Sequence, residues 1–228
     1  MFPEPAPIEG VLFDFHSTLV DQGDAAIWIR LAWEHAGRDG DPASALGAEK
    51  AARLAGWMER IWERAREVDP DSARDLDPVA HRRVFDTLAA SMPDVDAELA
   101  RSLYAMLLET WIPYDDAIPV LSELHARGVK TALVSNVGID VRAVLDRAGL
   151  TDLLDAVVLS YEAGSVKPNV AIFARALELI DVQPERALMV GDSWRDDGGA
   201  VELGIRTLLL PRTSGPAHGL DLVLRLVD

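Results

Sequence analysis

Runs of consecutive apolar residues alternate with amphipathic stretches over most of this chain. Residues 8–15, Thr131 to Val134, Ala156 to Leu159, Ala187 to Val190 and Ile205 to Leu210 are short, mainly apolar stretches that read as strands. Between them lie helical patterns: one opens after Pro113 with the acids Asp115 and Asp116 at its positive end and stops near Gly128, and another covers Asn169 to Leu179. Strands alternating with helices predict a parallel sheet in an α/β fold. One long interval breaks the alternation. From Asp24 to Trp111 the pattern is helical throughout, with helices predicted over Ala25 to Ala36, Glu49 to Glu67, Pro78 to Ala90 and Asp96 to Thr110. Turn residues cluster at Gly37-Arg38-Asp39-Gly40 and around Asp69-Pro70. The expectation is an α/β core from residues 1–20 and 112–228, interrupted by a helical subdomain over residues 21–111.

Chemistry-bearing residues fall where these strands end. Asp14 to Thr18 follow the first strand, Ser135-Asn136 the second and Gly191-Asp192 a later one, while Lys167-Pro168 stands before a helix. Loops at the carboxyl ends of parallel strands open into one crevice, so residues distant in sequence can assemble there. A carboxylate at Asp14 can act as a nucleophile and form a covalent intermediate. Asp14 and Asp192 close together repel each other unless a cation lies between them, and Mg²⁺ suits a site of one or two carboxylates, water and phosphate oxygens. Ser135, the backbone amide of Asn136 and the Lys167 ammonium can hold the remaining oxygens and neutralise developing charge. Taken singly, these residues read as a turn, a helix cap and a loop; four in this order, three of them directly after strands, are not accounted for that way.

In these four motifs the chain resembles the haloacid dehalogenase superfamily of hydrolases, in the subfamily I branch with a helical cap, which includes phosphoglycolate phosphatases and haloacid dehalogenases. The resemblance covers residues 8–19 and 113 to about 211. It implies a Rossmann-like parallel core with an inserted α-helical cap. It also implies Asp14 as nucleophile, Thr18 as its hydrogen-bonding support, Ser135, Asn136 and Lys167 as substrate-binding groups, and a Mg²⁺ site made by Asp14, Asp192, Asp196 and the backbone carbonyl of His16. Asp196 is preferred to its neighbour Asp197 because that register aligns Ala200. The implied activity is a Mg²⁺-dependent phosphatase acting on a small phosphorylated metabolite through an aspartyl-phosphate. The alternatives are a metal-independent 2-haloacid dehalogenase and a non-catalytic ligand-binding domain. His16 is the departure: the phosphatases of the family carry a second Asp there, as acid and base, and the dehalogenases an aromatic residue. A neutral imidazole serves better as a base than as an acid, so His16 favours substrates with good leaving groups. The clustered acids after Gly191 favour the metal-dependent reading, since they would repel a haloacid's carboxylate.

Composition narrows the partners. A net charge of −16 and a pI near 4.6 disfavour nucleic acid and anionic membrane surfaces, leaving a small-molecule substrate. Arg30, on the first helix of the insertion, is the candidate to reach that substrate's charge. There is no cysteine, hence no disulfide or thiol chemistry, and no apolar run approaches the roughly 18 residues of a membrane span. Residues 1–7 read as an extended proline-containing lead rather than a signal peptide. A cytoplasmic protein, monomer or homodimer, is expected. Trp28, Trp33, Trp57, Trp62 and Trp111 are expected to pack in and around the helical subdomain, and Trp194 is expected either to narrow the crevice or simply to pack.

Overall fold

The computed structural model describes residues 6–92 and 94–227, so residues 1–5 of the expected lead lie outside the described residues. The chain divides into two compact units, one running to Asp21 and resuming at Pro113, the other covering Gln22–Ile112. In chain order the strands are β1 (Gly10–Phe13), β2 (Val20–Asp21), β3 (Ile112–Pro113), β4 (Lys130–Ser135), β5 (Ala156–Leu159), β6 (Ala187–Gly191) and β7 (Arg206–Leu209). The helices are α1 (Ala25–His35), α2 (Pro42–Leu46), α3 (Ala48–Met58), α4 (Ile61–Val68), α5 (Pro78–Ala89), α6 (Ala97–Ala105), α7 (Ala117–Ala126), α8 (Arg142–Arg147), α9 (Ser160–Ala163), α10 (Val170–Ile180) and α11 (Asp221–Leu224).

In the first unit, β1, β4, β5, β6 and β7 form one parallel sheet in the order β5-β4-β1-β6-β7. The chain therefore builds outwards from β1 on one side and returns to build on the other, which makes the carboxyl end of β1 the switch point where ligands bind in such sheets. Phe13 is level with Leu133 on one side and Val190 on the other, so Asp14, Asp192 and the end of β4 emerge together. The continuous apolar runs are explained by burial on both faces. Leu12, Ala132, Val134, Val158 and Met189 face Ile172, Phe173, Ala176, Leu177 and Ile180 of α10, while Val11, Phe13 and Leu133 are fully buried as well. Each such large side chain contributes about 1.5–3 kcal/mol.

The second unit is helical. Asp24, Asp41, Asp77 and Asp96 cap α1, α2, α5 and α6 by accepting backbone N–H groups, and Pro42 and Pro78 occupy first helical positions. Trp28 donates its indole N–H to the Leu103 carbonyl at 2.8 Å, tying α1 to α6, and Phe85 meets Tyr104 edge-on at 5.1 Å. Trp28, Trp33 and Trp111 are buried. Arg74, also buried, pairs with Asp69 at 3.2 Å and Asp75 at 3.1 Å. Two expected helices come out shorter. The one over 49–67 breaks at Glu59-Arg60, where the Glu59 carbonyl accepts from Gln22 at 3.5 Å; Leu54, Met58, Ile61 and Ala65 are spaced as for a single straight stripe, so the apolar pattern carries no sign of the break. The one over 96–110 ends at Ala105, and residues 106–110 form turns. Among the described residues, no helix is long and apolar enough to cross a membrane.

Asp116 stands directly before α7, at its positive end, and its side chain accepts no N–H of that helix. Its carboxylate accepts the backbone N–H groups of His218, Gly219 and Leu220 at 3.0, 2.7 and 2.8 Å, which pins the start of α11 and its buried Leu220 and Val223 to the core. Asp116→Ala strands these donors and is expected to lower unfolding free energy by about 2–3 kcal/mol in urea titration, with Asp116→Asn losing less.

Candidate active site

Asp14 is the first residue beyond β1, and its N–H donates to the Val190 carbonyl of β6 at 2.9 Å, so the backbone of the switch point fixes it. The chain turns at once: Ser17 N–H donates to Val20 O at 2.7 Å, and Leu19 and Val20 both donate to Phe15 O. Ser17 adopts a left-handed φ of 67° to close this loop. The loop brings fully buried Thr18 back to Asp14, where its hydroxyl donates to Oδ2 at 3.1 Å. Lys167 reaches the same carboxylate from the segment before α10. Its Nζ lies 2.6 Å from Asp14 Oδ1 and 2.7 Å from Asp197 Oδ1, with side-chain exposures of 2%, 12% and 0% for Lys167, Asp14 and Asp197.

Lys167 is held at its backbone by Asn136. The Asn136 side-chain amide donates to Lys167 O at 2.9 Å and accepts Lys167 N–H at 2.7 Å. That side chain is thus committed to placing the lysine, which leaves the main-chain amide as the Asn136 group available to a substrate. Ser135 is buried at the end of β4, beside it.

The second acid expected after Gly191 is displaced by one residue. Ser193 Oγ donates to Asp196 Oδ2 at 2.8 Å and Ser193 N–H donates to Asp197 Oδ2 at 2.9 Å. The turn therefore directs Asp196 back onto Ser193 and sends Asp197 inwards to Lys167. The position of Ala200 does not decide between the two acids, because a 3₁₀ run begins at Asp197 and changes which side chain faces in. Two glycines make room. A Cβ on Gly191 would stand 2.0 Å from Asp197 Oδ2, and one on Gly199 would stand 2.3 Å from the Pro168 carbonyl.

Charge in this pocket is unbalanced. Burial pushes the Asp14 carboxyl above the ordinary range; Lys167 pulls it back without cancelling the effect, and Asp192 adds to it. Asp197 is likewise pushed up to about 6 by burial, with Lys167 opposing and Asp14 adding. Burial alone would lower the Lys167 ammonium, yet the two carboxylates outweigh it and hold it above its usual value. One carboxylate oxygen each from Asp14, Asp192 and Asp197 lies within 4.8 Å of the others. Three hard oxygen donors with excess negative charge fit a hard divalent cation such as Mg²⁺, and no softer donor belongs to the set.

Within the helical unit, Arg30 pairs with Glu34 at 3.0 Å on the exposed face of α1. The His16 imidazole is outside the carboxylate set; its Nδ1 lies 3.3 Å from Ser17 Oγ, and burial, reinforced by Arg212, pushes it down to about 4, so it is neutral at pH 7. Trp194 is 70% exposed, with the Arg195 guanidinium 5.2 Å from its ring, so it does not pack. Arg212, just past β7 and outside the set expected from sequence, forms an ion pair with Asp192. Its position after a strand end was the available signal.

A family model for haloacid dehalogenase-like hydrolases matches residues 8–204. The chain belongs to that family. A glyceraldehyde 3-phosphate phosphatase of Methanothermobacter thermautotrophicus is 27% identical over 215 residues, 89% of this chain and 85% of that protein. A ribulose-1,5-bisphosphate 5-phosphatase of Halopiger xanaduensis is 35% identical over 113 residues, 49% of this chain and 47% of that protein, so this match spans about half of each. The solved structure of L-2-haloacid dehalogenase from Xanthobacter autotrophicus superposes with a TM-score of 0.63 at 25% identity, covering 97% of this chain and 84% of that one. This haloacid dehalogenase-like hydrolase thus combines the parallel core with an inserted helical unit, and it is similar both to phosphatases and to a dehalogenase.

In this hydrolase the glycines beside Asp197 generate a prediction about packing. Gly191→Ala and Gly199→Ala are each expected to cost about 1–3 kcal/mol in denaturant titration by overpacking. Gly198→Ala, where a Cβ meets nothing within 4 Å, serves as the control and should leave the midpoint nearly unchanged.

Proposed function

We propose that this hydrolase is a Mg²⁺-dependent phosphatase acting on a small phosphorylated metabolite, with Asp14 as the nucleophile. The observation that carries this reading is the clustering of the Asp14, Asp192 and Asp197 carboxylates, with the Lys167 ammonium between Asp14 and Asp197. Halide displacement at carbon needs one carboxylate and gains nothing from two more, whereas phosphoryl transfer needs a cation that such a set can hold. The similarity to two sugar-phosphate phosphatases supports the same choice. In this reading Asp14, Asp192, Asp197 and the backbone carbonyl of His16 hold the ion, and Ser135, the Asn136 amide and Lys167 receive phosphoryl oxygens. A bound Mg²⁺ supplies positive charge against the transferring phosphoryl group.

Asp14, kept in position by Thr18, attacks phosphorus as the bond to the leaving oxygen breaks, giving an aspartyl-phosphate and a leaving group that must take a proton from solvent. Water then attacks that phosphorus, its proton passes to the neutral imidazole of His16 and on to solvent, and inorganic phosphate leaves as the Asp14 carboxylate is restored. A neutral imidazole is a poor acid for the first step. The chemistry therefore favours leaving groups that depart without protonation.

Phosphate release from an activated aryl phosphate should require Mg²⁺, stop with chelator, and be lost in Asp14→Asn. Metal-independent halide release from a 2-haloacid, with no phosphate release, would replace this reading with the dehalogenase one. His16→Asp, which supplies the missing acid, is expected to raise turnover of an alkyl phosphate on the order of 10²-fold while changing that of the aryl ester much less. Equal changes on both esters would remove His16 from the proton transfers.

A further inference from the structure

Arg212 stands in the segment after β7, beyond the residues 8–204 that match the family model. Its guanidinium Nε–H donates to Asp192 Oδ2, the carboxylate being 4% exposed and the arginine side chain 57% exposed. A buried carboxylate of the candidate ion site is thus already neutralised by a cation that reaches it from solvent. The positive charge of Arg212 also acts on the neighbouring His16 and Tyr114, which puts it beside the loop that follows Asp14. Lys167 cannot perform the same service, because its ammonium is enclosed between Asp14 and Asp197.

Two consequences follow from elementary electrostatics. A carboxylate oxygen bonded to a guanidinium is a poorer ligand for a divalent ion, so Arg212 and the ion compete for Asp192. An arginine displaced from a carboxylate keeps its charge and its planar fork of donors, which matches phosphate. In a chain of net charge −16, an anionic substrate needs such a group at the mouth of the site.

We propose that Arg212 is an exchangeable counter-cation of the active site: it neutralises Asp192 in the ion-free protein, yields Asp192 to the divalent ion, and then binds the phosphate group of the substrate. The proposal rests on the metal-dependent reading above.

Calorimetric titration of Mg²⁺ into the chain and into Arg212→Gln tests the exchange without turnover. The variant is expected to bind the ion roughly two- to fivefold more tightly, the scale of one half-exposed ion pair. The Nε–H resonance of Arg212 in ¹⁵N-arginine-labelled protein, assigned by its loss in Arg212→Lys, is expected to shift on saturation with Mg²⁺. In saturating Mg²⁺, inorganic phosphate should bind Arg212→Gln about fivefold or more weakly, as expected for loss of a charge-assisted pair. Equal or weaker Mg²⁺ affinity in the variant, or a resonance indifferent to the ion, would overturn the exchange while leaving the phosphatase reading intact. Unchanged phosphate affinity would overturn the substrate-binding role. Absence of Mg²⁺ binding in both proteins would overturn this proposal together with the metal-dependent reading.

Discussion

The ammonium of Lys167, enclosed between Asp14 and Asp197, is the contact on which the rest of the site depends. It joins three separate pieces of chain: the end of β1, the segment before α10 and the 3₁₀ run after β6. Removing one partner from a buried ion pair costs about 3–5 kcal/mol, because the other charge is left without compensation. The surrounding details follow from that constraint. Asn136 clamps the lysine backbone from both sides, Gly191 leaves space for Asp197, Gly199 lets the run after β6 approach the Pro168 carbonyl, and Ser193 holds both neighbouring acids by different atoms. None of these residues needs to touch a substrate to be indispensable to its geometry.

The same contact leaves the pocket short of positive charge. Three carboxylates and one ammonium share a space from which water is largely excluded, and burial drives both Asp14 and Asp197 towards their neutral forms. A nucleophilic Asp14 has to be ionised, so the site as built calls for a further cation. The molecule contains a local answer in Arg212, which reaches Asp192. A divalent ion with access to all three acids would supply what a single guanidinium cannot.

Much of this was legible in the chain because it is carried by periodicity and by residue type. Apolar runs buried on both faces marked the sheet, and a strand must deliver whatever residue follows it, so Asp14, Ser135 and Asp192 could be placed at strand ends from sequence. What escaped notice depends on local geometry without a periodic signature. Asp196 and Asp197 are adjacent acids of the same chemistry, and only the hydrogen bonds from Ser193 and the 3₁₀ turn decide which one faces Lys167. The break after Met58 interrupts a stripe that reads as continuous. Asp116 stands at the positive end of α7 as the sequence indicates, but its carboxylate also binds a segment about a hundred residues away, a pairing that depends on tertiary approach. Arg30 pairs with Glu34 on its own helix, the ordinary arrangement for opposite charges four apart.

The acid cluster also bears on which electrophile such a pocket tolerates. A haloacid brings its own carboxylate, and two like charges about 4 Å apart repel by about 1 kcal/mol in water and about 4 kcal/mol at an effective dielectric constant of 20. Three such carboxylates compound the penalty, and the one enclosed ammonium is already shared between two of them. A phosphate ester is no less anionic, yet its oxygens can share a cation with the acids that repel them, which a carboxylate remote from the reacting carbon does less readily. The arrangement that opposes a metal-free halide displacement is therefore the one that, in the phosphatase reading, a cation would convert into a phosphate receptor. In that reading His16 sets a limit of its own: with no second carboxylic acid beside a nucleophilic Asp14, the pocket would be better equipped to stabilise charge on a phosphoryl group than to protonate what leaves it.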